Sequence, residues 1–375
     1  MRTLIAVLIA ATLGSVAHAA DVTDIPPELR ADISIDYHYA YKFGSLEETW
    51  ENQQWGYGRR IEAQHDVLPH FEFSPYTGVA LTLGLDATPS KRWSFPTEGD
   101  IFCPEGYGCD GPSQMMYDPV TGSGSYANGG TAVKVPVEDI PEYKGGGLNG
   151  IWLGVALQPF SESYDRSHLV TWRIDIAMRT AAARNSWWTE REGGGRGAAP
   201  GGAAFKLGAA FSTDNDSANP YIVATIIHEG KFTLNEYRDT QGTVWWTDGT
   251  LNPADKFDGR AGIELITLND KNTGARFAVD LYMGFGYRSW EDVPSGILLP
   301  SVLDQSKEII VTHYDHIIGN AGLGLDGHFN EYAGFRLAFD AKYYTPHPLE
   351  HVYSVRSDYD TIEMGVFASM DVKIR

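Results

Sequence analysis

The sequence predicts an all-β fold: a closed, antiparallel transmembrane β-barrel of about twelve strands, with short turns at one end and long loops at the other. Three observations predict it. Apolar and polar residues alternate with a period of two through most of the chain. The connections between those runs are short and long in turn. The chain opens on an export leader.

The leader comes first. Arg2 gives a short positive region, Thr3 to Val16 is an almost unbroken apolar run, and Ala17-His18-Ala19 places small residues where a signal peptidase needs them. Cleavage is expected after Ala19, leaving 20–375 as a single barrel domain. As a membrane anchor the run is short, and no later window of 18 or more apolar residues exists to make a transmembrane helix.

The strands follow in order. Ile33, Ile35, Tyr37, Tyr39, Tyr41 and Phe43 alternate with Asp32, Ser34, Asp36, His38, Ala40 and Lys42. Ile61, Ala63 and Val67 oppose Glu62, Gln64 and Asp66, and Val79 to Leu85 repeats the pattern. Ile151 to Leu157, Val170 to Arg179, Phe205 to Phe211, Arg276 to Phe285 and Phe335 to Tyr343 continue it. The last strand sets Ile362, Met364, Val366, Ala368, Met370, Val372 and Ile374 against Glu363, Gly365, Phe367, Ser369, Asp371 and Lys373. Weaker strands are read at 220–232, 260–268 and 309–325, and 220–232 is apolar on both faces, which leaves its register open.

A soluble sandwich and a membrane barrel share this alternation, and the connections separate them. Short links fall at 74–78, 161–167, 214–219, 269–274 and 326–330; long ones fall at 44–56, 89–147, 180–202, 233–259, 289–308 and 345–360. A membrane barrel alternates tight periplasmic turns with long external loops, and an even strand count returns both termini to the periplasm. Aromatic residues near the long loops, among them Trp55, Tyr57, Trp245, Trp246, Tyr287, Trp290, Tyr343 and Tyr344, read as an interfacial girdle. The Gly-rich stretches 122–130 and 193–202 fall in long loops as flexible connections.

Composition narrows the partners. The 49 acidic residues exceed the 29 basic ones for a formal net charge of -20, which argues against nucleic acid. Cys103 and Cys109 lie in a Gly/Pro-rich loop, and an exported pair this close reads as a disulfide closing a tight loop.

On these features the chain resembles the porin-like outer-membrane β-barrels of Gram-negative bacteria. The resemblance covers about residues 30–375 and rests on alternation, loop asymmetry and leader, with no family-specific motif. It implies outer-membrane lipid and lipopolysaccharide as surroundings, with envelope proteins as partners through the external loops. Such barrels usually end in an aromatic residue, whereas this chain ends Lys373-Ile374-Arg375.

The polar face should line the lumen. It carries Asp36, His38, Lys42, Arg60, Glu62, Asp66, Arg173, Asp175, Arg179, Arg276, Asp280, Arg336, Asp340, Lys342, Asp371 and Lys373. Charges of both signs suit a water-filled channel, and equally a salt-bridge network that stiffens a filled barrel. Small inward residues such as Ala80, Gly84, Gly154, Gly208, Gly284 and Gly322 leave room for an open pore or an inserted loop, for which 89–147 is the candidate. The first functional reading is therefore passive diffusion of small polar solutes. The alternative is a non-conducting barrel that anchors or partners envelope components.

An outer-membrane hydrolase is the third class. His313, Asp315 and His316 cluster, yet strand alternation splits the two histidines between faces, and no Gly-x-Ser-x-Gly or His-Glu-x-x-His motif occurs. The sequence is read as a non-enzyme without cofactor or metal. Asp248, Asp255 and Asp258 in one loop, and Asp214 and Asp216 in a turn, lack calcium-loop spacing and read as turn residues.

Overall fold

The computed structural model describes Thr23 and residues 25–50, 53–94, 143–161, 170–182, 201–213, 217–238, 244–270, 273–294, 310–313, 315–330, 332–350 and 355–374, with four two-residue pieces between 116 and 132. For 45–50, 53–60, 93–94, 143, 233–238, 244–249, 293–294, 310–313, 347–350 and 355–360 it describes the backbone alone. The leader 1–19, Cys103 and Cys109 lie outside the described residues.

Period-two patterning becomes twelve long strands: β1 (Arg30–Trp50), β2 (Gln53–Tyr76), β3 (Val79–Ser94), β4 (Tyr143–Leu157), β5 (Thr171–Arg179) and β6 (Ala204–Ser212). The second half holds β7 (Ala218–Glu229), β8 (Lys256–Asp270), β9 (Ala275–Arg288), β10 (His316–Asn330), β11 (Ala333–Tyr344) and β12 (Val355–Ile374). Each pairs antiparallel with the next in chain order. β12 then pairs with β1, from Ala31↔Ile374 to Thr49↔Val355, and closes the barrel. Closure satisfies every edge, which a sheet in lipid requires.

One residue in two faces outward. Ile35, Leu81, Leu153, Ile222, Leu281, Leu323, Phe339 and Met370 are all exposed, while the residues beside them point in and are buried or half-buried. This is the reverse of a soluble sheet. An apolar outside on a closed barrel is a lipid-facing surface, and the chain is a membrane-spanning barrel of outer-membrane type. Aromatic residues mark both rims. At the short-turn end Trp172 packs edge-on against Phe160 and Phe211, and Phe329 stacks on Phe335 beside Phe277. At the other end Phe257 tilts against Phe285, near exposed Tyr287 and Trp290.

The short turns are tight. β2 and β3 are joined by Thr77 and Gly78, and Gly78 takes φ 73°, a left-handed turn conformation that glycine adopts without strain. Several predicted boundaries move. The segment 44–56 is no long loop: β1 and β2 keep pairing up to Trp50↔Gln53. The backbone ladder runs on through this ribbon, with a register shift between Glu48 and Thr49. β3 and β4 likewise take in 89–94 and 143–147, and β10 extends through 326–330 to Asn330. The connection 233–259 contains a separate hairpin, Phe232–Arg238 with Val244–Leu251. In β7, Tyr221, Val223, Thr225, Ile227 and Glu229 face in, and Ile222 and Ile226 face out, which settles the open register.

Candidate functional site: the charged lumen

Twelve strands about 4.8 Å apart, tilted by about 40°, put the backbone wall about 24 Å across. Inside it, polar side chains pair along the wall. Toward the long-loop end, Arg179 on β5 donates from Nη2 to Glu229 Oε2 on β7 (2.8 Å), and its Nη1 lies 3.8 Å from Asp86 on β3. Lys256 donates to the other oxygen of Glu229. Arg288 forks onto Asp258 at 2.8 and 3.0 Å. Glu363 accepts from Lys342 (2.8 Å) and from the Tyr344 hydroxyl (2.7 Å), and Lys42 sits 4.1 Å above the Tyr344 ring. Lys91 meets Glu62.

At mid-height, His38 lies between Asp340 (3.6 Å) and Asp66 (4.0 Å). Asp66 also accepts from Thr88 (2.6 Å) and Gln64 (2.8 Å), and Asn149 bridges Thr88 and Asp86. Asp280 accepts from Arg336 (2.6 Å) and from Tyr221 (2.9 Å), and Asp326 lies 3.6 Å from Arg336. Arg173 reaches Glu72 (2.9 Å) across two strands and pairs with Asp175. Asp36 accepts from Ser369, and Arg276 from β9 pairs with Glu264 of β8 near the short-turn rim.

The short-turn mouth is crossed by a strap. β1 begins at Arg30, yet Thr23 is buried against the far wall: its hydroxyl bonds Ser212 at the end of β6 (2.7 Å), and its carbonyl accepts from Gln158 after β4 (2.6 Å). Before β1 the chain turns: Arg30 donates to the Pro27 carbonyl (3.0 Å) and Leu29 takes φ 61°. Glu28 accepts from Thr77 and Leu29 donates to Ser74, which fixes the near end.

Of the residues the sequence places in the lumen, Asp36, His38, Lys42, Glu62, Asp66, Arg179, Asp280, Arg336, Asp340, Lys342 and Asp371 are buried on the inner face. Arg173, Asp175, Arg276 and Lys373 are half-buried there. The Arg60 side chain lies outside the described residues. Sequence reasoning missed Asp86, Glu229, Lys256, Arg260, Arg288 and Glu363 as lumen groups, although alternation on their strands carries most of them. Lys91 had no such signal. The ladder shifts register between Thr88 and Lys91, and that bulge turns Lys91 inward.

The histidine cluster separates. His316 is buried and lies 6.2 Å from the Tyr344 ring, while Asp315 is exposed and accepts from Tyr287 (3.3 Å). The His313 side chain lies outside the described residues. Asp255 is engaged by His228 (2.8 Å) and Asp258 by Arg288, while Asp214, Asp216 and the Asp248 side chain lie outside the described residues.

No protein-family profile matches the chain, and no characterised protein matches it in sequence. Solved barrels do match in structure. A FadL homologue from Pseudomonas aeruginosa shares 10% identity over 92% of this chain and 90% of its own, with a TM-score of 0.39. An anion-selective porin from Comamonas acidovorans shares 9% over 92% and 100%, with a TM-score of 0.28. The outer membrane protease OmpT from Escherichia coli shares 6% over 92% and 97%, with a TM-score of 0.33.

Proposed function

We propose that this protein is an outer-membrane channel for the passive diffusion of small polar solutes, exported by its leader and seated among outer-membrane lipid and lipopolysaccharide. One observation carries the reading: the polar inner face runs the full height of the barrel, and its ion pairs join strands one to three apart along the wall. Pairing along the wall, and not across the axis, is the arrangement that a solute path needs. Opposed charges on that wall set a transverse field that sorts solutes.

A specific observation favours a second reading. Lys91, Asp280, Arg288, Glu363 and Asp66 are all 0% exposed, and the strap spans one mouth. A lumen so tightly paired suits a non-conducting barrel that binds envelope proteins through its long connections. Planar bilayers separate the two. Stepwise conductance from folded, heat-modifiable protein supports the channel; silent bilayers from the same preparation support the anchor. The reading assigns no catalytic role; release of product from lipid or peptide substrates by the purified barrel would overturn that.

A further inference from the structure

Among the described inward-facing arginines, Arg173, Arg179, Arg276, Arg288 and Arg336 each meet a carboxylate. Arg260 on β8 meets none. Its guanidinium carbon lies 5.3 Å from the Tyr221 ring centroid and 4.9 Å from that of Tyr282, on the two flanking strands. Its Nη2 is buried without a hydrogen-bond partner. The nearby carboxylate, Asp280, is occupied by Arg336 and Tyr221.

Two rings hold a guanidinium through its π faces and do not neutralise it. Its N–H donors lie in the plane between those faces, in a fork that matches a carboxylate or a phosphate. In register, Arg260 stands opposite Gly284, and Gly284 opposite Asn320. Asn320 leans over Gly284, and its amide oxygen is also buried without a hydrogen-bond partner. Buried polar groups are nearly always satisfied, so the unpaired guanidinium nitrogen marks a place for an acceptor that the protein does not supply.

We propose that Arg260 is a binding station for the carboxylate or phosphate group of a small solute, held through the guanidinium nitrogen that no protein group meets. The station faces the lumen, so its ligand is a solute and not a lipid headgroup. It rests on the lumen being a solute path, and the test separates the two claims. Succinate and inorganic phosphate are titrated onto the folded barrel in detergent, with the unfolding temperature as readout, which needs no conduction. Wild type should rise with either anion. Arg260→Gln should lose the rise at least tenfold in apparent affinity, and Arg260→Lys should retain only part of it. A rise that survives Arg260→Gln unchanged, or no rise in wild type, overturns the station even where bilayers conduct. Silent bilayers with an Arg260-dependent rise overturn the channel and keep the station.

Discussion

Two tyrosines show how single residues shape the lumen wall. Tyr221 lies opposite Gly262 and Tyr282 opposite Gly322, and each ring folds onto its glycine. The glycine makes space for the ring, and the ring lying flat keeps the lumen clear while meeting Arg260. Gly262→Val should therefore drive Tyr221 off the wall, break its bond to Asp280 and cost roughly 1–3 kcal/mol, as overpacking does. Gly319→Val on the outer face of β10 meets nothing within 4 Å and should be neutral or stabilising, because valine suits a strand. Urea unfolding midpoints decide; equal losses at both sites would discount the packing argument. Ion pairs give a second contrast. Arg179→Met leaves Asp86 and Glu229 buried and short of a cation, an effect of about 3–5 kcal/mol. Arg276 is half-buried near the rim, and Arg276→Met should cost clearly less by the same measurement.

Elements were legible in the sequence to the extent that their two faces differ. β1, β5, β9, β11 and β12 alternate cleanly, and their inner residues could be named one by one. β7 could not be read this way, because Val223 and Ile227 are as apolar as Ile222 and Ile226; burial separates them only once β6 and β8 flank it. Lys91 was hidden by a bulge, and the β1–β2 ribbon by the run Glu47, Glu48, Gln53 and Gln54, which breaks the alternation. Arg260 was hidden differently: its strand was read, yet its lack of a partner depends on Asp280 turning to Arg336, a relation between three strands. The strap was wholly illegible, since Thr23-Asp24-Ile25-Pro26 has no pattern and its partners lie 135 and 189 residues away. Among the described residues two hydrogen bonds hold its far end, each worth about 1 kcal/mol net, so it should release easily. The pair Thr23→Val and Ser212→Val should expose residues 25–27 to added protease and raise single-channel conductance. Unchanged protection would show that the strap is held by something other than this contact.

The whole molecule depends on one inversion, apolar side chains outside and charged ones inside, maintained around a ring that closes on itself. Adjacent residues on β11 test it directly. Leu337 faces lipid near mid-strand, and Arg336 beside it faces the lumen between Asp280 and Asp326. Their side chains differ in environment by far more than their Cα atoms differ in position. Leu337→Arg puts a guanidinium into hydrocarbon, where a midplane arginine costs about 2–4 kcal/mol. Arg336→Leu adds apolar volume to the lumen and strands the buried carboxylates of Asp280 and Asp326. Both should destabilise, through opposite solvents, and the bilayer tells them apart. The penalty of Leu337→Arg should shrink in bilayers thin enough to bring its headgroup within reach, because a long cationic side chain can extend to the interface. The penalty of Arg336→Leu should not change with thickness, since its partners are protein. Folding measured in vesicles of graded acyl length reads both; a thickness dependence shared equally by the two variants would mean that the two faces of β11 have been assigned wrongly.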